Sequence, residues 1–169
     1  RLYLKNWRPI TLLTVDYKII ARVLASRLEN VMPSLISNSQ FASVTGRYIG
    51  ENIRTIMDVC NYLNEHHLAG VILQIDFEKA FDNLSWDFMF YILKQYGFGP
   101  NFLTWVKVLY TDSKSAVTNN GHLTKYFSLG RGVHQGCPIS GLLFVLMVEI
   151  LGLLLKSRND IKGMQIQGK

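Results

Sequence analysis

Residues 73–83 read LQIDFEKAFDN, an apolar run that ends in a carboxylate and continues into a charged turn. With Val71 and Ile72 in front of it, the run predicts a buried strand over 71–77, because it is rich in β-branched and other apolar side chains. Alternation along such a strand places Asp76 at its exit, where a carboxylate can be partly dry and still reach solvent or a cation. Burying that charge is costly unless it is compensated, and a hard cation such as Mg²⁺ prefers oxygen ligands of this kind. A single aspartate at a strand end is more often a turn cap, so both interpretations stay open.

The composition favours an ordered chain, and its net charge makes acidic partners worth considering. Its 169 residues fit one domain or two lobes that share a core, and 49% of them are hydrophobic whereas 18% are charged, which argues against disorder. With a net charge of +6, nucleic acid and membrane lipid are both candidate partners. Residues 61–100 carry two Lys/Arg against five Asp/Glu, whereas residues 1–60 and 101–169 are basic. Cations at an acidic centre between polyanion-binding flanks would produce this pattern, and so would uneven solvated surface charge.

Two cysteines, Cys60 and Cys137, stand far apart in the sequence and form no CxxC or Cys/His cluster. This spacing argues for a reducing intracellular setting and against a zinc site or a disulfide framework. No basic-then-apolar leader follows Arg1, so no signal peptide is predicted, and we expect the chain to be a segment of something longer.

Periodicity and turn residues predict five helices and one hairpin besides the strand. Ser85 is the expected N-cap of the third helix, Gly97 its stop, and Asn119-Asn120-Gly121 the turn of a hairpin within 115–133. The last helix contains a 15-residue apolar run interrupted by Glu149, too short for a membrane span, so we expect a buried core helix and no membrane partner. The predicted helices cover residues 16–32, 51–66, 86–96, 100–110 and 140–156.

Five motifs follow one another along the chain. The first acidic motif is DFEKAFD at 76–82, and the second strong motif is RGVHQGCPIS at 131–140, followed by LLF at 142–144. Upstream stand NWRPITLL at 6–13, YKI at 17–19 with RL at 27–28, and GRYIGENI at 46–53. In this order they resemble the reverse transcriptase domain of LINE-type (non-LTR) retrotransposons.

The resemblance implies a fold and an activity. The fold class is α+β, with right-hand polymerase-like fingers and a partial palm whose helices pack on a small antiparallel sheet. Residues 1–70 would form the fingers and 71–169 the partial palm, with 111–135 as a hairpin region bridging the two. The activity would be that of an RNA-directed DNA polymerase, a nucleotidyltransferase that adds dNTPs to a DNA primer on an RNA template. The rest of the parent polyprotein, with the missing palm, thumb and possible endonuclease, would be a further partner, acting in the nucleus after cytoplasmic synthesis.

The resemblance also assigns a catalytic centre. Asp76 matches the aspartate that binds both catalytic Mg²⁺ ions, for which Mn²⁺ is a possible substitute, and Phe77 would contribute its carbonyl. Phe81 matches the aromatic residue beneath the incoming sugar, although without the motif a core aromatic is equally expected. Asp82 is expected to orient the turn and is not assigned as a ligand.

Four other residues are assigned to nucleotide or template. Gln135 matches a position that contacts the incoming nucleotide and the template, and Gly136 one that contacts the template, although a simple turn would also suit both. Arg8 matches the arginine that grips the triphosphate, because a guanidinium presents a planar fork of donors to phosphate. Arg47 is a second phosphate candidate, against the alternative of a solvated surface side chain.

Several positions depart from the family pattern. Ala42 and Ser43 stand where Gly and Phe are usual, His134 where Arg is usual, and Gly141 where Pro is usual. The family's second acidic motif does not occur before Lys169. We therefore expect this polypeptide alone to bind Mg²⁺ poorly and not to extend a primer. The alternative is a non-catalytic nucleic-acid-binding remnant or splicing cofactor that keeps the fold.

Overall fold

The computed structural model describes residue 3, residues 10–161 and residue 163. In the described residues the chain forms six helices and four short strands. The helices are α1 (Val15–Leu35), α2 (Gly50–Glu65), α3 (Ala80–Asn83), α4 (Trp86–Gln95), α5 (Pro100–Tyr110) and α6 (Ser140–Ser157). The strands are β1 (Lys114–Ser115), β2 (Thr118–Asn119), β3 (His122–Leu123) and β4 (Phe127–Ser128). All five predicted helices are confirmed to within a few residues, and the mixture of helices with small antiparallel sheets is compatible with the α+β class.

Four helices form the core by packing on one another. Helix α1 contacts α5 and α6, and α4 contacts the same two helices. The buried face of α1 carries Ala21 and Ala25, both fully buried, together with Leu28 and Met32. Small side chains one turn apart let the neighbouring helices approach closely. The buried face therefore includes these alanines, whereas the larger apolar side chain of Ile19 on the same helix is exposed.

Helix α6 supplies a large share of the core. Its buried apolar side chains are Leu142, Leu143, Val145, Leu146 and Met147. The helix is long and apolar enough by length and composition to cross a membrane. It nevertheless carries Glu149, which is only 3% exposed and accepts a hydrogen bond from the Ser37 N–H at 3.1 Å. Its first three turns pack against α1 and α4, as the predicted core helix requires.

The predicted strand over residues 71–77 is wrong. The structure gives these residues no strand, and every one of them is exposed, with Val71 at 95%. A strand needs a neighbour to bond its N–H and C=O groups, and none of the described strands pairs with this segment. Local composition suits a strand here, but the pairing that would make one is non-local.

The predicted hairpin is confirmed. Strand β1 pairs antiparallel with β4, and β2 pairs with β3 in the register Asn119↔His122. Between β2 and β3, Asn120 and Gly121 both have positive φ, 48° and 79°. Two such residues form the tight turn whose twist matches that of the flanking strands, which is why Asn-Gly was a strong local signal.

Helix α2 is confirmed as a helix but not as part of the core. None of its residues is buried, and the apolar side chains of Ile53, Ile56 and Met57 are exposed. Its amphipathic sequence supports the helix itself, whereas packing depends on which segments lie opposite the stripe.

Candidate nucleotide and metal site

Two motifs that lie about fifty residues apart in the sequence are in direct backbone contact. The Gly132 N–H donates to the Leu84 carbonyl at 2.7 Å, and the Val133 N–H donates to the Phe81 carbonyl at 2.7 Å. These bonds join the end of the acidic motif, around α3, to the segment that carries Gln135. The segment that contains Phe81 and the segment that contains Gln135 are therefore neighbours in the structure.

Gly132 makes this contact possible. Its φ is +89°, a conformation that L side chains rarely adopt, and a Cβ built on it would lie 2.9 Å from the Asp82 carbonyl oxygen. The same Cβ would lie 3.1 Å from the Phe81 carbonyl oxygen. Both neighbours are backbone atoms, so they cannot move aside as a flexible side chain could.

A third hydrogen bond to the contact comes from a side chain. The Trp86 indole N–H donates to the Gly132 carbonyl at 2.7 Å. Its ring packs against Tyr110 on α5, with centroids 5.7 Å apart. Nothing in the sequence indicated this role, because an aromatic residue at the start of a helix is ordinary.

Asp76 lies in the irregular segment before α3, and its side chain is exposed. Among the described residues its carboxylate forms no hydrogen bond or ion pair, so the turn-cap interpretation finds no support there. Next to it, the Phe77 ring meets Phe144 of α6 edge-on, with centroids 6.1 Å apart. The segment is thus anchored to α6 through an aromatic contact while the carboxylate stays open.

The described residues offer a partial ligand set for a metal. They contain no group of three or more His, Cys, Asp or Glu side chains that could hold an ion. Mg²⁺ is commonly held by one or two carboxylates together with substrate phosphates. The open Asp76 carboxylate fits one such ligand, and the others would have to come from a nucleotide or from outside these residues.

The turn after Asp76 is held by its own backbone and by Asn83. Lys79 has a left-handed conformation, with φ +49°, and its carbonyl accepts the Asp82 N–H at 2.8 Å. The Asn83 side-chain amide donates to the Glu78 carbonyl at 2.8 Å. A left-handed residue other than glycine costs free energy, so these bonds must compensate it. The sequence interpretation of this turn named Asp82 and missed Asn83.

Phe81 packs as a core aromatic does. Its ring is half-buried and meets Phe144 with centroids 5.3 Å apart. The backbone carbonyl of the same residue accepts the Val133 N–H, so Phe81 contacts α6 through its ring and the Gln135 segment through its backbone. Its predicted place beneath a sugar stays a prediction.

His134 is the most connected side chain next to Gln135. Its Nδ1 lies 3.1 Å from the Tyr17 hydroxyl, and its Nε2 lies 3.3 Å from the Ser113 hydroxyl. The imidazole stacks on Tyr110 at a centroid distance of 5.7 Å. Burial lowers the pKa of His134 and raises that of Tyr17. His134 was noted in the sequence only as a departure from arginine, and its partners come from distant segments.

Stability should therefore depend on pH through His134. Its pKa is lower in the folded chain than in the unfolded one, so the unfolded state binds more protons below about pH 6.5. The free energy of unfolding should be fully retained above that pH and should fall as the pH drops through the folded pKa. Urea midpoints measured from about pH 7 to pH 5 check this, because His134→Gln should flatten the slope.

His122 on β3 is the matched control, because it is an exposed histidine. His122→Gln should leave the pH slope of the midpoint as it is in the unmodified chain. If the His134→Gln variant kept the pH slope of the unmodified chain, the pH dependence would belong to other groups.

Gln135 and Gly136 follow His134 at the surface. Gln135 is half-buried, and Gly136 is exposed with φ +89°. Among the described residues, a Cβ on Gly136 would meet only the Thr11 carbonyl oxygen within 4 Å, at 3.7 Å. With respect to those residues, the space beside Gly136 leaves room for another chain to approach. The predicted contacts of both residues with nucleotide and template stay predictions.

Of the two arginines predicted to bind phosphate, the structure describes only Arg47. Arg8 lies outside the described residues. The Arg47 guanidinium donates to the carbonyls of Ser37 and Gln40, each at 2.5 Å, and to that of Ile36 at 3.0 Å. These bonds hold the loop that follows α1 and engage donors that a phosphate would need, although the phosphate role itself is not tested by them.

A sequence profile described as reverse transcriptase (RNA-dependent DNA polymerase) matches residues 4–166. Because the match covers nearly the whole chain, the chain belongs to the reverse transcriptase family. This confirms the resemblance in the sequence and the assignment to RNA-directed DNA polymerases.

Three curated proteins illustrate which members it resembles. The chain is 39% identical over 155 residues to the Transposon TX1 uncharacterized 149 kDa protein of Xenopus laevis, covering 92% of the chain and 12% of that protein. It is 26% identical over 159 residues to the Retrovirus-related Pol polyprotein from type-1 retrotransposable element R2 of Popillia japonica, covering 94% and 22%. It is 27% identical over 147 residues to the corresponding type-2 element R2DM polyprotein of Drosophila melanogaster, covering 87% and 14%. The chain thus spans less than a quarter of the length of these relatives, and the prediction of a LINE-type (non-LTR) retrotransposon domain is confirmed.

Proposed function

We propose that this chain forms the nucleotide-binding part of a reverse transcriptase that extends a DNA primer on an RNA template by two-metal phosphoryl transfer, as a fragment of a longer polypeptide. The observation that carries the proposal is the backbone contact between Phe81 and Val133, which joins the acidic motif to the Gln135 segment. The open carboxylate of Asp76 adds to it, since all of its lone pairs are available to a cation. Residues 1–70 would serve as fingers and 71–169 as partial palm, and the hairpin region at 111–135 would bridge the two.

Each residue has a role that its chemistry suits. Asp76 would hold divalent cations through its carboxylate and Phe77 through its carbonyl, and neither acts as an acid or base. When bound, Mg²⁺ lowers the pKa of the primer 3′-hydroxyl and stabilises charge on the transferring phosphoryl group. The amide of Gln135 can donate to and accept from a nucleotide, and Gly136 admits a nucleic-acid backbone at close range. The half-buried ring of Phe81 would exclude a 2′-hydroxyl.

Metal binding at Asp76 can be tested on the chain itself. Titrating Mn²⁺ into the ¹⁵N-labelled chain in the presence of dATP should broaden the amide signals of Asp76 and Phe77 first, because paramagnetic broadening acts over short distances. Asp76→Asn should remove this selective broadening. Asp87→Asn, which changes an exposed aspartate in the first turn of α4, is the control and should leave it unchanged.

The outcome also separates catalysis from binding alone. Broadening that is centred elsewhere, or that survives Asp76→Asn, would contradict the metal role. A non-catalytic RNA-binding remnant would instead show RNA affinity that falls when Asp76 is replaced by alanine, because the residue would then serve the fold or the RNA contact rather than a cation.

A further inference from the structure

We infer that Trp86 is a positioning residue of the nucleotide site, fixing the Gln135 segment relative to Phe81 through the Gly132 peptide. The inference rests on the proposed function, because Gln135 and Phe81 are the two residues that would hold the incoming nucleotide. Trp86 contacts neither of them through its indole N–H, so it acts through Gly132.

The Gly132 peptide needs an external restraint. With φ +89° and no side chain, glycine has a wide range of accessible backbone conformations. Its N–H is held by Leu84, and its carbonyl accepts the Trp86 indole N–H at 2.7 Å. Rotation of the following peptide would carry Val133 away from the Phe81 carbonyl, and Gln135 is two residues further on.

Trp86 is well placed to supply that restraint. It is the first residue of α4, directly after Ser85, whose hydroxyl accepts the Phe88 N–H at 3.4 Å. Its ring is half-buried and packs against Tyr110. The helix start and the aromatic contact together fix the direction of the indole N–H.

Of the three hydrogen bonds described here between the segment 81–86 and the Gly132-Val133 segment, only this one comes from a side chain. The bonds from Gly132 to Leu84 and from Val133 to Phe81 are between backbone groups, which most substitutions preserve. Trp86 is therefore the position at which the alignment of Phe81 and Gln135 can be changed without altering the residues that would touch nucleotide.

Trp86→Phe tests the inference, because phenylalanine keeps an aromatic ring and removes the donor. Hydrogen exchange of the Val133 amide should become about 5- to 10-fold faster, the effect of losing one hydrogen bond, whereas exchange of the buried Leu93 amide in α4 should not change. The affinity for Mg²⁺–dATP, measured by amide shift titration, should fall by a similar factor. The preference for dATP over ATP should fall as well, which a loss of stability alone would not cause.

Trp105→Phe is the matched control, since Trp105 is 49% exposed on α5 and its indole forms no hydrogen bond within the described part of the chain. It should leave the exchange rate, the affinity and the preference unchanged. Trp86→Tyr, which also lacks the indole N–H, is the second variant if Trp86→Phe does not fold.

Each result decides between two hypotheses. Unchanged Val133 exchange, or unchanged dATP affinity and preference in a chain that binds dATP, would overturn the role of Trp86 and leave the proposed function standing. Because this chain alone is expected to bind Mg²⁺ poorly, the titration is carried to the high ligand concentrations that weak binding requires. Absence of any Mg²⁺–dATP shift in the unmodified chain under those conditions would overturn the proposed function, whatever the exchange rates are.

Discussion

Asp76→Asn is expected to lower primer extension about a thousandfold in a polypeptide of the relatives' length that contains this chain. Asparagine keeps the size of the side chain but removes the negative charge that a divalent cation needs. Metal ions contribute several kcal/mol to stabilising charge in a phosphoryl-transfer transition state, and each 1.36 kcal/mol is worth about tenfold in rate. Single-nucleotide incorporation, measured with Mg²⁺ on an RNA template and a DNA primer, checks the expected loss.

Two controls make the loss specific. Asp87→Asn changes an exposed carboxylate on α4 and should keep the rate within about twofold, because the proposal gives this carboxylate no cation to hold. The affinity of Asp76→Asn for the RNA template should stay near that of the unmodified polypeptide. A variant that keeps more than about a tenth of the activity would show that this carboxylate is not a metal ligand in the reaction.

Local signals predicted most of the secondary structure. The Ser85 cap, the Asn120-Gly121 turn and the Gly97 stop each depend on one or two residues whose conformational preference acts within a turn of chain, and all three are observed. The strand over 71–77 failed for the opposite reason, because strand formation requires a partner that composition cannot identify. The sequence also did not identify Ala21 and Ala25 as part of the buried face of α1. Their small side chains matter only when a neighbouring helix lies against them.

The motifs identified the candidate residues of the site but not the contacts that hold them. The structure joins the motif at 76–82 to the motif at 131–140 through the hydrogen bond from the Val133 N–H to the Phe81 carbonyl. The contributions of Trp86, His134 and Asn83 were missed, because each bonds to a group whose proximity follows only from the fold. A signal was available at Gly132, since a glycine in the middle of a motif often marks a close backbone approach.

Gly132→Ala should therefore be the most destabilising small substitution in the site, with a loss of about 3 kcal/mol in the free energy of unfolding. Left-handed backbone costs an alanine roughly 1–2 kcal/mol more than a glycine, and here the added Cβ would also press on the Asp82 carbonyl oxygen at 2.9 Å. Relieving that contact means moving the backbone that donates to Leu84 and Phe81. Urea unfolding followed by circular dichroism measures the loss.

The control for this prediction separates conformational strain from crowding. Gly97 has a similar φ, +79°, but a Cβ there would meet no atom of the described part of the chain within 4 Å, so Gly97→Ala should cost only about 1 kcal/mol. If the two variants lost equal stability, strain alone would account for both, and the close approach of Gly132 to Asp82 would carry no energetic weight. A larger loss at Gly132, with faster exchange of the Val133 amide, would instead locate the cost in the contact that joins the two motifs, since Gly97 lies outside it.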